Sequence, residues 1–111
     1  MNGPKDNAKI GALNDAFRTT FTGGRVIVTV GVDALSKEVL TEVIEKVMTF
    51  NAFTTDNNPH DERDFGSFEF GGDKFFWKID YYDTSLEFGS PDPSDPIVTR
   101  RVLTIMRADE Y

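Results

Sequence analysis

DFGSFEFGGDKFFWKIDYYD, residues 64–83, decides how this chain folds. Two apolar-rich runs, 64–70 and 74–83, flank Gly71 and Gly72, residues that supply the positive φ angles of a tight turn, so the stretch reads as a β-hairpin. Side chains alternate along a strand, which puts Phe75, Trp77, Ile79 and Tyr81 on one face of the second arm and Phe76, Lys78, Asp80 and Tyr82 on the other. The first set is a core face. The second mixes aromatic with charged groups, a composition closer to a protein interface than to a reaction centre, unless a helix covers it and makes it packing.

Upstream, Asp56-Asn57-Asn58-Pro59 is a turn-forming cluster within residues 51–63, and its proline pushes Asn58 out of helical conformation, so the segment reads as a surface loop. Before it lies an amphipathic helix. Ser36 is its N-cap, Glu38 faces the helix dipole in the first turn, and Val39, Leu40, Val43, Ile44, Val47 and Met48 share one face. RVIVTV, residues 25–30, is β-branched on both faces and predicts a strand covered on both sides or buried in mid-sheet, ended by Gly31. The steps between Ile10, Leu13, Phe17 and Phe21 predict a first helix over 7–21, stopped by Thr22-Gly23-Gly24.

Downstream of the hairpin, GSPDPSDP at 89–96 has three prolines that pre-set φ, which makes a stiff loop. VTRRVLTIM, residues 98–106, supplies the last strand. The order α-β-α-β-β-β has too few crossover units for a doubly wound sheet. It predicts an α+β, two-layer fold with a largely antiparallel four-stranded sheet and two helices, over a single domain spanning 1–111.

With 111 residues and a formal charge of −7, the balance is ordinary for a globular chain except for ten phenylalanines. The absence of cysteine removes disulfides, thiolate nucleophiles and cysteine-ligated metal sites, and suits a reducing, cytoplasmic setting. The polar start, with Lys5 and Lys9, lacks the apolar core of a signal peptide, and no run approaches bilayer-spanning length, so no membrane association is expected. The acid excess sits in the middle: residues 51–96 hold eleven acids against Arg63, Lys74 and Lys78. Direct binding to nucleic acid is not expected, because neutralising phosphates takes a clustered cationic surface.

Chemistry-bearing groups gather near residue 60. His60, Asp61, Glu62 and Asp64 are acceptable ligands for a divalent metal, but their spacing matches no strong metal signature, and the register of an EF-hand loop fails from Asp56 onwards. His60 is the sole histidine, and no serine sits in a nucleophile-elbow context. Asp80 and Asp83, three apart on a strand, point to opposite faces; Asp80 pairs with Lys78, Arg100 or Arg101, and Asp83 caps the following turn. The paired glycines are turn formers and not a phosphate-binding loop. Arg100, Arg101 and Arg107 form either a small positive patch or local ion pairs.

LNDAFR, GGRVIVTVGV, DNNPHDERDFG, FWKIDYYD, GSPDPSDP and VLTIMRADEY together resemble a family of small bacterial proteins catalogued as a domain of unknown function, over about residues 10–111. The resemblance implies an origin on bacterial chromosomes, plasmids and other mobile elements, and no activity, cofactor or catalytic residue. One position departs: the family loop reads Glu-His-Asp-Phe-Gly, where this chain has Glu62-Arg63-Asp64-Phe65-Gly66.

The leading expectation is a non-enzymatic interaction module without cofactor. In it, Asp61, Glu62, Asp64, Phe76, Lys78, Asp80, Tyr82 and Asp83 meet a basic protein partner, by electrostatic steering and then aromatic anchoring. Its sharpest form is a mobile-element inhibitor that mimics nucleic-acid charge toward a basic host defence protein. The alternatives are a small metal-dependent enzyme built on His60, Glu62 and Asp64, or a structural subunit that forms a homodimer.

Overall fold

The computed structural model describes residues 6–111; the part of the polar start at 1–5, with Lys5, lies outside the described residues. The first helix, α1, runs Asn7–Thr20. Asp6 caps its start by accepting from the Lys9 amide, and Phe21, at φ 58°, ends it in the left-handed conformation. Its buried stripe holds Ile10 and Phe17 together with two polar residues, Asn14 and Arg18.

Strand β1, Gly24–Val28, is followed at once by a short helix α2, Val30–Asp33. The strand expected to run to residue 30 therefore stops early, for a reason that lies far away in sequence. Glu110 accepts hydrogen bonds from Thr29 Oγ1 at 2.6 Å and from the Gly31 amide at 2.8 Å, and so holds the chain in the turn that starts α2. β1 is also an edge strand and not a central one, with Arg25 exposed and Ile27 43% exposed. Its outward β-branched residue simply faces water.

Helix α3, Lys37–Met48, matches its reading: Ser36 Oγ accepts from the Val39 amide, and Val43 and Val47 are fully buried. Strands β2, Phe65–Phe70, and β3, Asp73–Tyr82, form the hairpin, with Gly71 and Gly72 at φ 62° and 85° in the turn. Strand β4 is Arg100–Arg107, and a 3-10 turn, Ala108–Glu110, follows it. The sheet order is β1-β4-β3-β2. β4 pairs antiparallel with β3 and parallel with β1, so the α+β sheet is mixed, with two of three pairings antiparallel. Among the described residues three α-helices stand where two were expected, the extra one being α2.

The layers follow from the alternation. Phe75, Trp77 and Ile79 of β3 and Leu103 and Ile105 of β4 join Phe17, Val32, Val43 and Val47 of the helices in one buried cluster. Full burial of each such side chain is worth about 1.5–3 kcal/mol. Gly66 of β2 is part of this packing, because a Cβ there would sit 2.4 Å from Trp77 Nε1. All three helices thus lie on one face of the sheet. Among the described residues no helix is long and apolar enough to cross a membrane.

Candidate interaction face and its buried support

The other face of the sheet has no helix over it among the described residues. Its residues are those opposite the core set: Phe65 of β2, Phe76, Lys78, Asp80 and Tyr82 of β3, and Val102, Thr104 and Met106 of β4. Phe65 and Phe76 stack obliquely with ring centroids 5.3 Å apart, and Tyr111 adds its edge to Phe76 at 5.3 Å. Lys74 Nζ lies 5.6 Å from the Phe76 ring centre, a cation–π contact. Asp80 takes Lys78 as its ion-pair partner at 3.1 Å, each side chain 38% exposed. Of the four residues expected on this face, all are there, half-buried. Tyr111, 74% exposed, is an addition that strand alternation had no means to reveal.

The remaining predicted residues are elsewhere and do different work. Asp61 and Arg63 both adopt left-handed backbone, φ 58° and 54°, on either side of Glu62. Such φ values are costly for residues with a Cβ and persist only where surrounding contacts fix them. The contact is α1: Gly11 brings the helix so close that a Cβ there would be 2.9 Å from the Asp61 carbonyl oxygen. Glu62, 6% exposed, is thereby turned inward.

Inside, a polar chain crosses the layers. Tyr81 OH donates to Glu62 Oε1 at 2.9 Å, and Asn14 Nδ2 donates to Tyr81 OH at 2.8 Å and to the Glu62 carbonyl at 2.9 Å. Arg101 Nε donates to Asn14 Oδ1 at 2.7 Å, and its Nη2 to the Pro93 carbonyl at 2.6 Å. Burial pushes the Tyr81 phenol far up from its ordinary value, and burial lowers the Arg101 guanidinium, which Tyr81 and Glu62 partly offset. Tyr81 stays a neutral hydrogen-bond donor at any physiological pH. The arrangement is one in which every partner is needed, since a buried polar group left unpaired costs about 1–3 kcal/mol. Sequence reasoning missed it, although Asn14 lies four residues from Ile10 on the buried stripe of α1.

A second buried cation braces the same loop. Arg18, 2% exposed, donates to the Val47 carbonyl at 2.9 Å and to Asp15 Oδ1 at 2.9 Å, and lies 4.9 Å from the Trp77 ring centre. Arg63, at the departure from the family loop, donates to Asp15 Oδ2 at 2.7 Å and lies over Phe53 at 4.8 Å. Its role here is to clamp the loop on α1.

The acids of residues 51–96 are spread unevenly over the sheet, with most of them in the segments 49–64 and 83–99 at one end. Glu69 and Asp73 flank the hairpin turn, whereas Asp83 begins the loop at the far end of β3, a ten-residue strand about 30 Å long at ~3.3 Å per residue. Asp73 pairs with Arg107 at 3.0 Å, and Asp83 Oδ1 accepts from Ser85 Oγ at 2.8 Å and from the amides of Ser85, Glu87 and Phe88. Asp83 is the turn cap expected of it. Asp64, half-buried, has its carboxyl raised above the usual range, first by burial and then by Glu62. His60 and Asp61 are exposed while Glu62 points inward to Tyr81, so the His60, Glu62 and Asp64 trio is not assembled as a ligand set. Among the described residues no three histidine, aspartate or glutamate side chains converge to hold a metal ion.

The fold and this face define an α+β protein whose sheet is armoured by helices on one side and open, aromatic and charged on the other. The chain belongs to the family described as Protein of unknown function (DUF3768), which matches residues 28–110. The match begins at the last residue of β1, so α1, which supplies Asn14 and Arg18, precedes it. Neither the curated proteins nor the solved structures gave a match to the chain.

Proposed function

We propose that this protein is a non-enzymatic interaction module that docks a protein partner on the open face of its sheet. The observation that supports it is the aromatic cluster Phe65–Phe76–Tyr111, with ring centroids 5.3 to 6.2 Å apart, beside a 3.1 Å Lys78–Asp80 pair. An antiparallel sheet face turned to water ordinarily carries polar residues. Here aromatic rings occupy those positions, and exposed aromatic side chains bordered by charges make the anchors of protein interfaces.

Charge on this face bears on the partner. Arg25, Lys74, Lys78 and Arg100 alternate outward with Glu69 and Asp80, so the face is locally cationic although the chain carries −7. That favours a partner with an apolar patch rimmed by acids over the basic partner suggested by composition. The nucleic-acid mimic needs a continuous surface of free carboxylates, whereas Glu62 is turned inward to Tyr81, Asp73 and Asp80 are ion-paired, and Asp83 and Asp92 are tied to their own turns.

Affinity capture from a cell lysate, compared across three proteins, tests the reading. A Phe65→Ala/Phe76→Ala variant should lose a protein that wild type retains, while an Asp61→Ala/Glu87→Ala variant keeps it. Loss with the acid variant alone would restore the carboxylate mimic. Capture that ignores both variants, or that is abolished by nuclease, would sink docking of a protein at this face. Self-association through it would appear in light scattering as twice the chain mass, abolished by the Phe variant.

A further inference from the structure

Of the six arginines, Arg18, Arg63 and Arg107 are in ion pairs, and Arg101 is held by Asn14 and Pro93. Arg25 and Arg100 are exposed and have no carboxylate partner among the described residues, in a chain with nineteen acids. These two line one groove together with Arg101. It holds about 340 Å³ and is lined by the three arginines, by Gly23 and Gly24 at the start of β1, and by Leu86 and Pro96 of the loop at 83–99. No acid lines it.

The position follows from the register. Gly24 pairs with Arg101 and Arg25 with Val102 in the parallel β1–β4 ladder, while Arg100 pairs with Tyr82 across β4–β3. Arg25 and Arg100 therefore extend from the open side of the sheet, and Arg101 reaches the groove from the buried network. Arg101 is 4% exposed, with Nε and Nη2 occupied; its Nη1 makes no hydrogen bond to any described residue. A buried guanidinium fixed on two sides is an anion receptor that needs little further ordering, and planar forks suit tetrahedral oxyanions. The rim is fixed too. Thr99 Oγ1 donates to the Asp92 carbonyl at 2.9 Å, and Ser90 and Thr99 hydroxyls meet at 2.8 Å.

We propose that this groove is a binding site for a phosphate monoester, with the dianionic phosphate on Arg25, Arg100 and Arg101 and the organic part against Leu86 and Pro96. Three cations without an acid suit a dianion better than a single carboxylate. Leu86, 39% exposed, lines the groove with Pro96 and gives the ester an apolar shelf. The volume is within the range of small-ligand clefts. This site is separate from the Phe65–Phe76–Tyr111 cluster and stands or falls without it.

The test is calorimetric titration with inorganic phosphate and with phenyl phosphate, at constant ionic strength set by chloride, together with amide chemical-shift mapping. Both ligands should saturate and shift Gly23, Gly24, Arg25 and Arg100. An Arg25→Gln/Arg100→Gln variant should bind each at least about tenfold more weakly. Both side chains are exposed, so its Tm should match wild type. A Lys9→Gln/Lys37→Gln variant removes the same charge elsewhere and should bind like wild type. Tighter binding of phenyl phosphate assigns an ester, and equal binding assigns free phosphate to the same arginines. Non-saturating heats, or equal affinity in the arginine variant, would overturn the site, as would equal weakening by the lysine variant.

Discussion

The loop at 49–64, which leads into β2, and the loop at 83–99, which follows β3, are both rich in carboxylates, and the protein fixes them by different means. In the first, Glu62 is carried inside and meets Tyr81, while α1 closes over the backbone at Gly11 and Asp15 holds Arg63. In the second, Asp83 and Asp92 stay outside and bind the amides and hydroxyls of their own turns. The first loop adds tertiary burial to local hydrogen bonds such as Arg63 N–H to Asn58 Oδ1, whereas the second rests largely on hydrogen bonds within itself and to the adjoining strand, Arg101 to the Pro93 carbonyl among them. Acidic composition therefore says little about docking: the same residue type is a buried lock in one loop and a turn clamp in the other.

Asn14 is where this comparison is most easily broken, because it joins both systems through Glu62, Tyr81 and Arg101. Asn14→Leu keeps the volume but leaves three buried polar groups short of a partner, and should cost about 3 kcal/mol or more in chemical denaturation. Because Arg101 then loses a support, hydrogen exchange should rise in both loops. A loss under about 1 kcal/mol would mean the network is not shared. Gly11→Ala asks about the first loop alone. The added methyl gains up to about 1 kcal/mol of helix propensity but meets the Asp61 carbonyl oxygen at 2.9 Å, so the net should be a destabilisation of about 1–2 kcal/mol. Exchange at 58–63 should quicken while 83–99 is unchanged.

What the sequence made legible was whatever rests on local pattern. The Gly71-Gly72 hairpin, the Ser36 cap, the core face of β3 and the Asp83 turn cap all come from alternation, helical spacing and turn chemistry, and the structure has them. What it hid rests on partners distant in the chain. The turn into α2 is held by Glu110, about eighty residues away, so RVIVTV looked like a longer strand. β1 read as covered on both sides or buried in mid-sheet because its β-branched residues fill both faces, yet a strand order that places β4 between it and β3 leaves it at the edge. The four face residues of β3 were legible from alternation, whereas Tyr111 joins them only because the chain folds back beside Phe76. Asn14 and Arg18 were legible only as polar interruptions of an apolar stripe.

The smallest effect is also the sharpest contrast, because the two loops should answer acid with opposite sign. Hydrogen bonds, first from the Ser85 hydroxyl, hold the Asp83 carboxyl below the usual range, and those from Ser94 do the same for Asp92. Their ionised forms favour the fold, so this contribution is present at neutral pH and is lost as pH falls through their folded-state values. Asp64 is raised by burial and by Glu62, so its protonated form favours the fold, and that contribution is lost as pH rises through its folded-state value. Asp83→Asn should therefore destabilise the protein at neutral pH and progressively less in acid, as pH falls through a folded-state value that lies below the usual carboxylate range. Asp64→Asn should stabilise it at neutral pH and become silent in acid. Urea midpoints of the two variants at neutral and acid pH, with carboxyl-carbon titration by NMR, read this directly. Shifts of the same sign in both variants would mean that the environments of the two loops do not differ as their hydrogen bonds and burial require.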